Sequence, residues 1–271
     1  MNKKILIFSA LGRWGMGKGK GAPSLHATLK GYSDAGWEVV FITGGENASE
    51  TAGSGSPPTA EIPGLKVVRT VSWPLYFSCA NRYLSFLASK IGWLVFIVYS
   101  FIKGALIARR FKPDLCYGYE VHGVPAAYLV ARLFGVPCVS RFQGTVVPPE
   151  ASLFRLLVVY SEHFLACKLP IDLVIMADDG TQGDQVLKNL GVSADRTVFW
   201  MNGVEKDRFR AVSGTMNVRE MYNIPEDAHI LLTMCRLAGW KRIDRGIRAM
   251  PAVLERFPDT YYLVVGDGAM R

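Results

Sequence analysis

Residues 113–144 read PDLCYGYEVHGVPAAYLVARLFGVPCVSRFQG, and the fold follows from that line. Pro113-Asp114 breaks the preceding pattern and opens a short run of strand length, 115–119. Residues 124–134 carry apolar side chains at helical spacing, and Gly135 supplies a residue that ends a helix easily. Pro137 then opens a second strand, 137–142. Strand, helix and strand in so short a stretch make a β-α-β unit, and its strands lie parallel because the helix carries the chain back.

The same rhythm extends both ways. Strands are expected at 4–10, 38–43 and 65–71, with helices at 23–35 and from about 81 to 111. Residues 46–63 are rich in Ser, Gly, Thr and Pro and read as a mobile loop. Beyond residue 144, a helix is expected at 153–167, a strand at 172–177, a helix at 182–190 ended by Gly191, and a strand at 197–201. Seven strands therefore precede residue 205. They predict an α/β fold with a doubly wound parallel sheet and helices on both faces.

Residues 206–227 read as a linker with a short helix. A second β-α-β unit follows, at 230–235, 243–257 and 261–265. At about 150 residues per domain, 271 residues ask for about 1.8 domains. The expected division is one complete domain over 1–205 and the truncated start of another over 228–271.

Composition narrows the class. Twenty per cent charged and 11% aromatic residues exclude a disordered or fibrous chain. Five scattered cysteines without a C-x-x-C pair fit a reducing compartment, so a cytoplasmic protein is expected. The run 5–11 resembles a signal peptide, but Gly12-Arg13-Trp14 stands where small residues should allow cleavage, so it reads as a first buried strand. His26, His163 and His229 show no metal-ligand spacing.

The net charge of +8 is concentrated. Residues 1–30 hold six bases and residues 62–113 hold eight, with no acid in either stretch. Within the latter lies the most apolar run, 91–108, interrupted by Lys103. It is marginal against the roughly 20 residues that a spanning helix needs, a single span is not expected in an α/β pattern of this kind, and its bases fall on several sides. Two readings stand: a buried helix with snorkelling ends, or a helix dipping into an anionic membrane surface. A nucleic-acid partner is not expected, because no recognition motif is present and the aromatics sit in apolar runs.

Several motifs lie where strands end. Gly12–Gly21 is a glycine-rich loop after the first strand. It matches G-x-x-x-x-G-K, but Gly19 replaces the Ser or Thr that would hold Mg²⁺, and its G-x-G-x-x-A begins too late for a dinucleotide fingerprint. Its bare N–H groups, around Gly19 and Gly21, still suit a phosphate or a sugar hydroxyl. Asn202-Gly203-Val204 follows a strand. Arg236 and Lys241 flank a strand-to-helix turn, where two cations and a helix dipole can hold a diphosphate. Gly266-Asp267-Gly268 puts a flexible turn at a strand's carboxyl end, where such folds bind ligands.

In this order the pieces resemble a family-four glycosyltransferase of the GT-B fold. They are the glycine loop, Pro113-Asp114 before a strand, a Gly-x-Pro strand ending at Gln143-Gly144, Asn202-Gly203-Val204 with Phe209, Arg236-Leu237 with Lys241, and Gly266-Asp267-Gly268. The resemblance implies two Rossmann-like domains facing a cleft, the acceptor on the first and a nucleotide sugar on the second. It also implies transfer with retention, no metal and no cofactor beyond the donor substrate. The absence of a D-x-D pair fits a metal-independent enzyme. Arg236 and Lys241 match the cations that hold the donor diphosphate. Gln143 stands where relatives carry His, and Tyr119 where relatives carry another His; Glu120 and His122 just beyond are the candidate catalytic groups. Tyr119, Gln143, Asn202, Gly203, Gly266 and Asp267 are expected to line the cleft. The family's E-x₇-E element should lie well beyond residue 271. The isolated chain is therefore expected to bind donor poorly and to transfer little.

The resemblance implies a glycan or lipid-linked acceptor, in cell-surface polysaccharide or glycolipid synthesis. The basic, apolar first domain suggests that the acceptor lies at the inner face of the cell membrane. The rivals are a non-catalytic acceptor-binding fragment, a sugar-nucleotide epimerase of the same fold, and a dinucleotide oxidoreductase, which the late glycine loop disfavours.

Overall fold

A computed structural model of the chain describes residues 2–11, 23–44, 62–71, 81–203, 217–268 and 270–271. The chain divides into two compact units, Met1–Val204 and Glu205–Arg271.

In the first unit the elements alternate. They are β1 (Lys4–Ser9), α1 (Pro23–Asp34), β2 (Glu38–Thr43), β3 (Leu65–Arg69), α2 (Arg82–Phe111), β4 (Leu115–Tyr119), α3 (Glu120–Phe134) and β5 (Cys138–Phe142). Then come α4 (Leu153–Val158), α5 (Ser161–Lys168), β6 (Leu173–Ala177), α6 (Gly183–Asn189) and β7 (Thr197–Trp200). The seven strands form one parallel sheet in the order β3-β2-β1-β4-β5-β6-β7. β1 shows why both faces are covered. Ile5 and Ile7 enter a core with Leu25 and Leu29 of α1, while Leu6 and Phe8 enter the opposite core with Ala127 and Val130 of α3. A strand apolar on both faces has no side left for water. The order reverses between β1 and β4, so the carboxyl ends of those two strands open a crevice, the usual ligand position in such sheets.

The junction between β4 and α3 is abrupt. The strand ends at Tyr119 and the helix begins at Glu120, four residues earlier than the periodicity predicts. A proline in the first turn of a helix costs little, but Pro125 lies beyond that turn. Here it lies inside the helix, where the only bond its ring removes is the one to the Val121 carbonyl. Two close approaches make the turn possible. A Cβ on Gly118 would lie 2.5 Å from Val124 Cα, and one on Gly123 would lie 2.1 Å from the Phe8 carbonyl oxygen. Glycine is thus required where α3 packs on β4 and where it crosses β1.

The helix expected over 153–167 is instead two helices, α4 and α5. The Val159 carbonyl, which a continuous helix would offer to its own backbone, accepts a bond of 3.0 Å from Lys90 Nζ on α2. Lys90 also bonds Ser161 Oγ at 2.8 Å and pairs with Glu162. The break is therefore set by a residue some seventy positions away, which no local pattern reports.

α1 offers a simple test of this backbone. Gly31 sits in the helix, and a Cβ added to it would meet nothing within 4 Å. Gly31→Ala should raise stability by about 0.5–1 kcal/mol, by lowering the entropy of the unfolded chain. Chemical denaturation measures it, and a loss of stability would show that this face of α1 is crowded.

In the second unit, α7 (Val218–Tyr222) precedes β8 (His229–Met234), α8 (Ile243–Leu254) and β9 (Thr260–Val265). β8 and β9 pair in parallel, His229 opposite Thr260. Leu232 and Met234 of β8 are 61% and 75% exposed. This two-stranded sheet is the second β-α-β unit expected from the sequence.

Candidate active site

The carboxyl edge of the large sheet brings four strand ends together around Glu120. Glu120 adopts a left-handed backbone, φ 63°. That conformation costs a side-chain-bearing residue about 1 kcal/mol, and it turns the carboxylate back over the end of the neighbouring strand. There Glu120 Oε1 accepts the Gln143 backbone N–H at 3.1 Å. The Gln143 side-chain amide donates to the Tyr119 hydroxyl at 2.8 Å, and Tyr119 shares a 2.7 Å bond with Ser24 Oγ of α1. Because it accepts from Gln143, the Tyr119 hydroxyl is free to donate to Ser24. Tyr119 is fully buried, and burial pushes its pKa up to about 12. It is a neutral strut that ties β4, β5 and α1 together.

The next strand end completes the group. Asp179 follows β6, and its carboxylate packs so tightly on Gly144 that a Cβ there would lie 2.1 Å from Asp179 Oδ2. Thr181 donates to Asp179 Oδ1 through both its backbone N–H, at 3.1 Å, and its hydroxyl, at 2.5 Å. The same hydroxyl accepts the Thr145 N–H at 2.9 Å. Farther along, Arg141 of β5 donates to Asn202 Oδ1, just past β7, at 3.0 Å.

Burial pushes the Glu120 carboxyl up to about 7. The Gln143 N–H and the Arg141 guanidinium oppose the shift, and the Asp179 carboxylate adds to it. A carboxylate with a pKa near neutrality is a competent general base, because it is available in basic form yet holds a proton well.

His122 lies two residues along α3, roughly 200° round the helix from Glu120. The charges acting on it are Glu162 and Lys90, not Arg141 and Asp179. Burial holds its pKa below the usual histidine value, with Glu162 opposing and Lys90 assisting. Its neighbour His163 is lowered to about 4, again mainly by burial. His122 thus belongs to a helix contact among α2, α3 and α5, and the structure does not bring it to Glu120.

The remaining candidates divide by unit. Tyr119 and Gln143 join Glu120, and Asn202 joins Arg141; Gly203 has open space about it. Gly19 and Gly21 lie outside the described residues. Arg236, Lys241, Gly266 and Asp267 belong to the second unit. There the glycine turn packs directly on the strand-end pair: a Cβ on Gly266 would lie 1.9 Å from the Cys235 carbonyl, and the Leu237 N–H donates to the Asp267 carbonyl at 2.9 Å. Among the described residues no group of three His, Cys, Asp or Glu side chains is placed to hold a metal ion.

Sequence reasoning missed Asp179, Arg141, Thr181 and Ser24. Asp178-Asp179-Gly180 after a strand carried a usable signal, being two acids at a strand's carboxyl end. Arg141, a charge inside an apolar strand, carried another.

Residues 21–203 match the family model of the glycosyl transferase 4-like domain. None of the curated proteins matches the chain. Among solved structures, HepE from Anabaena in complex with UDP and glucose is 17% identical, with a TM-score of 0.60 over 98% of this chain and 62% of that one. A glycosyltransferase from Rickettsia africae is 17% identical, with a TM-score of 0.58 over 98% of this chain and 61% of that one. The N-terminal domain of trehalose-6-phosphate phosphatase from Candida albicans is 13% identical, with a TM-score of 0.65, over 99% and 65%. The likeness is one of fold, the Rossmann-like GT-B architecture, and the chain spans less than two thirds of the length of each of these structures.

Proposed function

The chain belongs to the glycosyl transferase 4-like family, and from that premise we propose that it serves sugar transfer from a nucleotide-sugar donor to a glycan or lipid-linked acceptor. The reaction proceeds with retention at the anomeric carbon and without a metal ion, in cytoplasmic synthesis of a cell-surface polysaccharide or glycolipid. The observation that carries this reading is Glu120. It is a carboxylate on a strained turn, at the crevice of the sheet, with its pKa raised to about 7.

The roles follow from the chemistry. The first unit holds the acceptor; its hydroxyl attacks on the face from which the diphosphate departs, so the configuration is retained, and Glu120 accepts the hydroxyl proton. The Gln143 N–H holds the carboxylate while Tyr119 anchors the Gln143 side chain, and Arg141 with Asn202 supplies polar groups along the same edge. In the second unit Arg236 and Lys241 hold the donor diphosphate. The leaving diphosphate gains charge as the glycosidic bond breaks, so fixed cations stabilise the transition state more than the ground state. HepE binds UDP and glucose, which makes a UDP-sugar the first donor to try.

Calorimetry with UDP- and GDP-sugars, and with candidate acceptors, tests the reading. Arg236→Ala should weaken donor binding roughly tenfold, the effect of losing one charge-assisted contact, and should leave acceptor binding unchanged. Equal donor binding by both proteins argues against the diphosphate site. Acceptor affinity with no donor affinity selects the alternative, a non-catalytic acceptor-binding module.

A further inference from the structure

α2 is apolar on two opposite faces. One face, with Trp93, Phe96, Ile97, Gly104 and Ala108, is buried in the first unit. Trp93, Phe96 and Ile97 cluster with Ala10 at the carboxyl end of β1. Gly104 lies so close to Phe8 that a Cβ would sit 2.7 Å from its ring. The other face carries Leu84, Leu87, Ile91, Leu94, Val98, Ile102 and Leu106, each 49–65% exposed. Their spacing of three and four residues makes one straight stripe, roughly 33 Å long. α4 adds exposed Leu153, Phe154 and Leu157, and the bonds from Lys90 to Val159 and Ser161 hold the α4–α5 corner against α2. An apolar surface of this extent is rare on a protein that faces only water.

Charge identifies what covers it. Neither α2 nor α4 contains an acid, while Lys103, Arg109, Arg110 and Arg155 are basic. Arg109 and Arg110 also line, with Lys4, Lys66, Leu106 and one acid, Glu38, which pairs with Lys4, a groove of about 970 Å³ where the stripe ends. A second copy of the chain, packed stripe to stripe, would offer these cations no acid from either helix. An anionic lipid surface neutralises them while its acyl region takes the stripe. The helix is long and apolar enough to span a bilayer by length and composition, but its buried face is part of the protein core, so it cannot leave to do so.

We propose that the first unit docks on an anionic bilayer, with α2 lying flat at the headgroup–acyl boundary and Lys103, Arg109, Arg110 and Arg155 on the lipid phosphates. The N-terminal half of α2 reaches the carboxyl ends of the strands, so docking brings the Glu120 edge to the headgroup layer. The docking itself does not depend on the transferase reading, and its test uses no sugar nucleotide.

The test is flotation of the full chain with phosphatidylglycerol–phosphatidylcholine vesicles and with phosphatidylcholine alone, at physiological salt. The protein should float with the anionic vesicles. Leu94→Asp/Val98→Asp should lower the bound fraction roughly tenfold or more with unchanged thermal unfolding, since both side chains are exposed. Arg109→Ser/Arg110→Ser should remove the preference for anionic lipid. Leu94→Trp, which keeps the apolar surface, should add fluorescence that brominated acyl chains quench. Absence of flotation at low salt, flotation indifferent to Leu94→Asp/Val98→Asp, added fluorescence from Leu94→Trp that brominated chains leave unquenched, or a dimer in solution that the double Asp substitution dissociates would each overturn the proposal.

Discussion

Glu120→Gln should lower even the small rate of sugar transfer expected of this chain by about two orders of magnitude or more, the usual loss when a general base is removed, and yet stabilise the protein above neutral pH. The amide keeps the shape and can still accept the Gln143 N–H, so the junction stays folded. What it loses is the ability to take a proton. The stability effect has a definite sign. The folded-state pKa, about 7, lies above the ordinary value of 4.5, so the folded protein binds the proton more tightly than the unfolded chain. The contribution is fully present below about pH 4.5, declines as pH rises, and is gone above about 7. A shift of this size amounts to up to about 3 kcal/mol. Glutamine has no such decline. His163 and His122, held neutral by burial, make stability rise with pH in both proteins, so denaturation curves at pH 5 and pH 8 should show the natural protein losing about 2–3 kcal/mol relative to the variant. Equal pH slopes in the two proteins would remove the buried-carboxylate account, and unchanged turnover would remove Glu120 as the base.

Gly123→Ala should destabilise the first unit by about 3 kcal/mol or more. The added Cβ would lie 2.1 Å from the Phe8 carbonyl oxygen. That atom is backbone in an interior strand and cannot rotate aside as a side-chain end would. Either α3 lifts from β1, opening the core around Phe8, Ala127 and Val130, or the strand shifts and disturbs its pairing with β4. Both displace Glu120, three residues away on the same helix. The contrast with Gly31→Ala is the control, because the same substitution in open space should stabilise. Chemical denaturation of both variants measures the pair, and a Gly123→Ala protein as stable as the natural one would mean that α3 and β1 are not in such close contact.

Much of the fold was legible because it rests on local rules. The β-branched and aromatic runs, the glycines and prolines between them and the helical spacing located all seven strands of the large sheet. Parallel pairing followed from the intervening helices. The boundaries that moved did so through contacts distant in sequence. The helix 153–167 broke where Lys90 takes the Val159 carbonyl. α3 began early because its first turns could close on β4 only through Gly118 and on β1 only through Gly123.

The site was half legible. Glu120, Tyr119, Gln143 and Asn202 were candidates through the family resemblance, and the structure places all four at or just past strand ends of the large sheet. Asp179 and Arg141 were not, since their part depends on which strands are neighbours. His122 looked equivalent to Glu120 from its place in the chain. The rotation of the helix turns it instead toward Glu162 and Lys90.

The amino-acid sequence by itself determined the alternation of elements, the parallel doubly wound sheet, the family resemblance and the acid-free basic stretch along α2, because periodicity, turn chemistry and charge are properties of neighbouring residues. Only the tertiary structure decided that the Glu120 carboxylate is desolvated, that it shares its edge with Asp179 and Arg141, and which face of an apolar helix is left uncovered. Burial and electrostatic coupling depend on distances in space, and those are set by how the β-α-β units pack together rather than by any one of them.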